Sequence, residues 1–179
     1  MHVNTMTDPR DQQPYPTFGI EGKTWLARNL DFQTPGSWCY SDDEKQCALY
    51  GRLYTREAAL KACPPGWKLP TITEWVELAT GLGGYYDLPK RDSVDNPRAS
   101  YTALMTGSFS AQLGGSRSPA GKFIDVEGDG MYWSSSTCGK DSVTFMVFNE
   151  HSKRVMRDCD GDIGWAHSVR CLSEIHGSS

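Results

Sequence analysis

The spacing of hydrophobic and polar positions changes several times along the chain, and each change marks an element. From Val143 to Phe148 it has the two-residue period of a strand, with Thr144, Met146 and Phe148 on one side and Val143, Phe145 and Val147 on the other. Met131 to Ser136, Lys153 to Asp158 and His167 to Leu172 are shorter runs of the same kind and complete a meander. Near the start, Phe18 and Ile20 alternate, Glu21-Gly22-Lys23 turns, and Thr24, Trp25 and Leu26 resume, which predicts a hairpin within residues 17–30.

A helical pattern occupies the stretch from Tyr50 to Trp75. Thr55 is placed to cap a helix over Arg56 to Ala62, since its hydroxyl can accept from unpaired first-turn amides. Cys63 ends it, and Pro64-Pro65-Gly66 cannot continue it. Thr71 or Thr73 starts a second helix. Glu74 stands three residues after Thr71, as a capping box requires, and Trp75, Leu78, Ala79 and Leu82 form one apolar stripe before Gly83-Gly84. Residues 35–46 read as a polar loop with Asp42, Asp43 and Glu44 at its tip. Residues 83–126 read as a long irregular region broken at Asn96-Pro97, Gly114-Gly115 and Ser118-Pro119, and tacked to the core by Tyr101, Leu104, Phe109, Leu113 and Phe123. Strands, helices, loops and strands in that order predict an α+β fold with an antiparallel sheet. No repeat of 20–50 residues is visible.

Composition narrows this further. A chain of 179 residues with 38% hydrophobic and 11% aromatic content can bury one substantial core, so a single domain is expected. We place a loose N-terminal arm at residues 1–14, the domain at 15–175 and a tail at 176–179. The net charge of -4 and the scattered Lys and Arg residues argue against nucleic acid as a partner. There is no apolar run of 18 residues, and Met1 to Arg10 has no charged n-region or apolar h-region, so neither membrane insertion nor a signal peptide is expected in this sequence.

Six cysteines stand at positions 39, 47, 63, 138, 159 and 171, without any Cys-x-x-Cys spacing, which points to disulfides rather than a metal-thiolate or dithiol site. Of the 15 pairings that six cysteines allow, loop logic favours Cys39 with Cys47 and Cys138 with Cys159, each closing a polar loop, and leaves Cys63 with Cys171. Such bridges imply an oxidising compartment.

Several motifs are specific when taken together: Met6-Thr7-Asp8-Pro9-Arg10, Gly22 to Leu30 (GKTWLARNL), Gly36-Ser37-Trp38-Cys39-Tyr40, Tyr50 to Thr55 (YGRLYT), Cys63 to Thr71 (CPPGWKLPT), Tyr132-Trp133-Ser134-Ser135-Ser136 and Ser168-Val169-Arg170-Cys171. In these the chain resembles the Fibrobacter succinogenes major paralogous domain, a bacterial family similar to the C-type lectin fold, over nearly its whole length. The resemblance implies that N- and C-terminal strands pair, that two helices flank small antiparallel sheets, that a second sheet with its loops carries ligand contacts, and that the protein is secreted or displayed at a cell surface. The same fold hosts several functions. The Glu-Pro-Asn, Gln-Pro-Asp and Trp-Asn-Asp motifs of calcium-dependent sugar binders are absent. Formylglycine-generating enzymes use a reactive cysteine pair, for which no matching motif exists here. Variable proteins of diversity-generating retroelements place a hypervariable face in the region that corresponds to Tyr132 to Cys171.

Candidate site residues follow from the strand pattern. With Thr144, Met146, Phe148 and Val155 inward, the outward side of the terminal strands carries Val143, Phe145, Val147, Asn149, His151, Arg154, Met156, Asp158, Asp160, Trp165 and His167, a mixture of aromatic, basic and acidic groups suited to a protein or glycan ligand. Asp158, Asp160 and Asp162 alternate beside Gly161, so calcium is one reading and a solvated acidic turn the other. Asp125, Glu127 and Asp129 could join them only if the fold brings the two clusters together. The motifs of serine hydrolases, zinc proteases and phosphate loops are missing, and a non-catalytic binding module is expected. The alternatives are an oxidative enzyme of the formylglycine type and a structural tip or stalk domain.

Overall fold

A computed structural model describes residues 4–161 and 164–174. Among them, the first sheet holds β1 (Thr5–Thr7), β2 (Pro14–Ile20), β3 (Lys23–Leu26) and, from the other end of the chain, β14 (Leu172–Ser173), in that order and all antiparallel. The pairing of Leu172 with Trp25 joins the C-terminal strand to the N-terminal hairpin. The second sheet takes β4 (Ser37–Trp38), β5 (Leu53–Thr55), β6 (Gly84–Asp87), β7 (Asp92–Asp95), β8 (Gly114–Arg117), β9 (Phe123–Val126), β10 (Asp129–Gly139), β11 (Ser142–Asn149), β12 (Arg154–Asp160) and β13 (Ala166–His167). Their order is β4-β5-β13-β8-β10-β11-β12-β6-β7, with β9 also on β8. Pairing is antiparallel except between β8 and β10 and between β6 and β12. With helices α1 (Glu44–Tyr50), α2 (Arg56–Ala62), α3 (Ile72–Gly81) and α4 (Pro97–Thr106), the fold is mixed α+β.

The capped helices form where the sequence places them. Thr55 accepts from Ala58 N at 3.2 Å to start α2. At α3, Thr71 Oγ1 accepts from Glu74 N at 3.2 Å while Glu74 accepts from Thr71 N at 2.8 Å, which completes the capping box. All three disulfides, Cys39–Cys47, Cys63–Cys171 and Cys138–Cys159, are present.

Three expectations are corrected. The arm at residues 1–14 is not loose where it is described: β1 pairs with β2, and Asp8 is fully buried against Arg10. Arg10 also donates to Ala62 O at 2.7 Å and lies 3.6 Å over the Phe32 ring. This docking runs through a charged pair and a cation–π contact, which hydropathy does not register. The polar loop at 35–46 contains the start of α1, because the Asp43 carboxylate accepts from Lys45 N and caps a helix. The long loop at 83–126 is mostly regular. Asn96-Pro97, read as a break, is a helix start: Asn96 caps α4 through Ala99 N, and Pro97 sits in its first turn, where no amide donor is needed.

Strand β11 divides the core. Met146 and Phe148 pack with Trp25, Trp75, Leu78, Tyr101, Leu104 and Phe109 on one side, while Val143, Phe145 and Val147 pack with Tyr15, Leu26, Tyr54, Leu69 and Trp133 on the other. Near the junction with the first sheet, the fully buried Arg170 donates to the carbonyls of Leu26, Phe109 and Ser110 and to Asn29 Oδ1, all between 2.6 and 3.1 Å. Tyr132 adds its hydroxyl to the same Asn29 oxygen at 2.9 Å.

One partly buried carboxyl works against stability at neutral pH. Burial pushes the Asp31 pKa up to about 6, although Arg28 and Arg52 pull it down. A folded pKa above the unfolded one favours the protonated form. The stability it gives is therefore complete below about pH 4 and lost as pH rises through about 6. Asp31→Asn should raise the unfolding free energy at pH 7 by on the order of 1–2 kcal/mol, less than the full 1.36 kcal/mol per unit because solvent screens a partly buried group, and change it little at pH 4. Urea unfolding at the two pH values measures this.

Candidate functional site

The side chains of Phe145, Asp158, Asp160, Trp165 and His167 converge with Ile124 and Met131 around an open cleft of about 290 Å³. Its back wall is set by register. Asp158 stands opposite Phe145 and Asp160 opposite Val143 along the β11–β12 ladder, so both carboxylates project from one face of β12. Residues 158–160 are thus the end of a strand rather than part of an acidic turn, because pairing with β11 carries on as far as Val143. Asp158 Oδ1 accepts from Cys159 N at 2.7 Å. The Cys138–Cys159 bridge ties this strand end to β10 between the two acids.

The opposite wall is aromatic. His167 is 3% exposed and packs 4.4 Å from the Trp133 ring centre and 5.4 Å from that of Phe145. Trp165 is half-buried and stacks on His167 at 6.3 Å and 17°. Ser116 Oγ lies 2.8 Å from His167 Nδ1 and 3.3 Å from Met131 Sδ, which orients the imidazole. This serine–histidine pair does not present a nucleophile: Ser116 is 1% exposed and sits behind the ring, not in the cleft. The two aspartates do not flank a substrate either. Both approach from one strand, whereas glycoside hydrolysis needs carboxyl groups on opposite sides of the scissile bond.

The remaining expected site residues lie elsewhere. The outward patch is corrected for Val143, Phe145 and Val147, which are 4%, 7% and 4% exposed. A strand apolar on both faces is buried on both, and here the second face meets the Tyr15–Trp133 cluster. Phe145 therefore reaches the cleft only as part of its floor. Met156 packs against that cluster too. Arg154 lies 5.2 Å over Tyr86, Asn149 is held by Asp129 at 2.6 Å, and His151 is exposed in the β11–β12 turn. That turn lies beyond Arg154, which is itself about 13 Å along the strand from Asp158 at 3.3 Å per residue, too far to share the cleft. The acidic run Asp125-Glu127-Asp129 does not join Asp158 and Asp160, because Asp129 pairs with Asn149 at the far end of β11. Burial raises the Asp129 pKa, with Asp125 adding to it and Asn149 opposing.

Asp162 lies outside the described residues. Asp158 and Asp160 supply at most four carboxylate oxygens, so a calcium shell of six to eight would need backbone carbonyls or waters as well. Among the described residues, the three-member cluster of metal-ligating types is Cys39, Glu44 and Cys47, whose sulfurs form a disulfide. A second, larger cleft of about 500 Å³ runs between α2 and the β10–β11 turn, lined by Arg56, Glu57, Leu60, Thr137, Lys140 and neighbours. It has no aromatic wall, and its lining mixes the apolar Leu60 and Val143 with charged and hydroxyl side chains.

Sequence reasoning missed Ile124, Met131 and Ser116. Ile124 and Ser116 come from strands inside the segment read as loop and Met131 from a strand that the sequence predicts, and single apolar or hydroxyl residues carry no motif that would single them out. No helix is long and apolar enough to cross a membrane among the described residues. Neither the curated proteins nor the solved structures give a significant match to the chain. The model of the Fibrobacter succinogenes major domain matches residues 18–173, nearly the whole described fold, and the chain belongs to that family.

Proposed function

We propose that the protein is a non-catalytic recognition module with a C-type lectin-like arrangement, secreted or displayed at a cell surface, which binds a protein or glycan through the Trp165 cleft. The observation that carries this reading is the convergence of a half-buried tryptophan, a positioned histidine and two carboxylates around one open cleft. Such a cleft offers stacking and hydrogen bonding together. The pairing of terminal strands and the three disulfides support the lectin-like arrangement and an oxidising compartment. The formylglycine-type alternative requires a reactive thiol, and every cysteine is bridged.

Binding to an array of glycans and surface-protein fragments, measured for the natural chain, Trp165→Ala and Leu60→Ala, tests the proposal. Loss of at least tenfold in affinity in Trp165→Ala alone is expected, since an aromatic anchor at a binding centre is worth about 2 kcal/mol or more. Equal binding by Trp165→Ala, or a loss confined to Leu60→Ala, would remove the cleft as the site.

A further inference from the structure

We infer that the group recognised in the Trp165 cleft is a cation: the guanidinium or ammonium of an arginine or lysine side chain on a protein ligand. This rests on the proposal that the cleft is the binding site, and goes further by choosing between its two ligand classes. The two walls of the cleft carry complementary attractions for such a group. Trp165 and His167 present an aromatic wall on one side, Asp158 and Asp160 present negative charge on the other, and Phe145 forms the floor between them. A flat guanidinium or a compact ammonium between them gains cation–π attraction from the tryptophan and charge-assisted hydrogen bonds from the carboxylates.

No basic side chain among the described residues neutralises the carboxylates, and neither Asp158 nor Asp160 forms an ion pair there. The basic residues near them are engaged or turned away. Arg154, on the same face of β12, lies over Tyr86, and Arg157, on the opposite face, donates to Asp87 at 3.1 Å. Lys140 lines the other cleft. The rest of the lining, Ile124 and Met131, is apolar and suits the methylene stem of a long basic side chain. A hydroxyl-rich sugar ring would find few hydrogen-bond partners there besides the two acids. The net charge of -4 favours approach of a basic partner as well.

The probes are acetyl-Gly-Arg-Gly-amide and its lysine, citrulline and glutamate counterparts, titrated into the full chain while the Trp165 indole N–H signal is followed by NMR. The arginine and lysine probes should shift that signal and bind at least tenfold more tightly than citrulline, which keeps the shape of arginine without its charge. Asp158→Asn/Asp160→Asn should abolish that preference at an unchanged unfolding midpoint, with the two single variants as substitutes should the pair fold poorly. Equal binding of citrulline and arginine, or an arginine preference that survives loss of both acids, overturns the inference. A neutral glycan that binds in a Trp165-dependent way while no basic probe does also overturns it, yet leaves the recognition module intact. If no ligand of any class responds to Trp165→Ala, both readings fall.

Discussion

Replacing Arg170 with methionine is expected to destabilise the protein by about 3–5 kcal/mol, the range for removing one partner from a fully buried polar network. Methionine roughly fills the volume, so the loss comes from unpaired acceptors more than from a cavity. The carbonyls of Leu26 and Phe109 would each lose a donor in a place water does not reach, and that of the exposed Ser110 would lose one at its edge. Each orphaned buried group costs about 1–3 kcal/mol. Asn29 keeps the Tyr132 hydroxyl and suffers less. Burial lowers the Arg170 pKa, with no carboxylate to oppose it, so the charge rests on these acceptors and on the Phe109 ring 4.3 Å away. Arg170→Lys should not restore stability, because an ammonium cannot span acceptors spread over residues 26–29 and 109–110. Urea unfolding of the three proteins gives the numbers, and a loss under about 1 kcal/mol in the methionine variant would show that the network is not what joins β3, the 109–110 segment and the C-terminal strand.

The second large effect is expected from the Cys63–Cys171 bridge. It spans 108 residues, against 21 for Cys138–Cys159 and 8 for Cys39–Cys47. In the chain-entropy model, removing them costs about 4.8, 3.3 and 2.5 kcal/mol respectively. Paired substitution by alanine should therefore rank the three variants in that order by thermal midpoint. Cys171 is fully buried and packs with Leu69 and Val169, so the first variant loses packing as well. A smaller loss from Cys63→Ala/Cys171→Ala than from Cys39→Ala/Cys47→Ala would mean that the closure of the domain depends on the β3–β14 pairing and the Arg170 network instead.

Much of this scaffold is legible because its signals are local. Thr55 and Thr71 announce helices within three residues of themselves, and the Glu21-Gly22 turn fixes its own hairpin. The elements that were missed depend on neighbours far away in the chain. Residues 84–95 form a hairpin laid along β12, and β8 lies against both β10 and β13, none of which a short window reveals. Asn96-Pro97 was ambiguous for another reason, since the same dipeptide ends one element or begins the next. The candidate site divides in the same way. Strand alternation puts Asp158 and Asp160 on the side of Phe145, but it does not say that β11 is covered on both faces. That coverage leaves only the strand ends and the Trp165 segment open to solvent. Among the eleven expected ligand-binding residues, it separates the five that line the cleft from those held in the core or in the distant turn.

The most direct measurement is hydrogen exchange of the protein alone and with the tightest-binding member of the array. The account predicts slower exchange in residues 123–124, 158–160 and 164–167, with no change around α2. Protection confined to residues 55–60 and 137–143, the walls of the larger cleft, would contradict it.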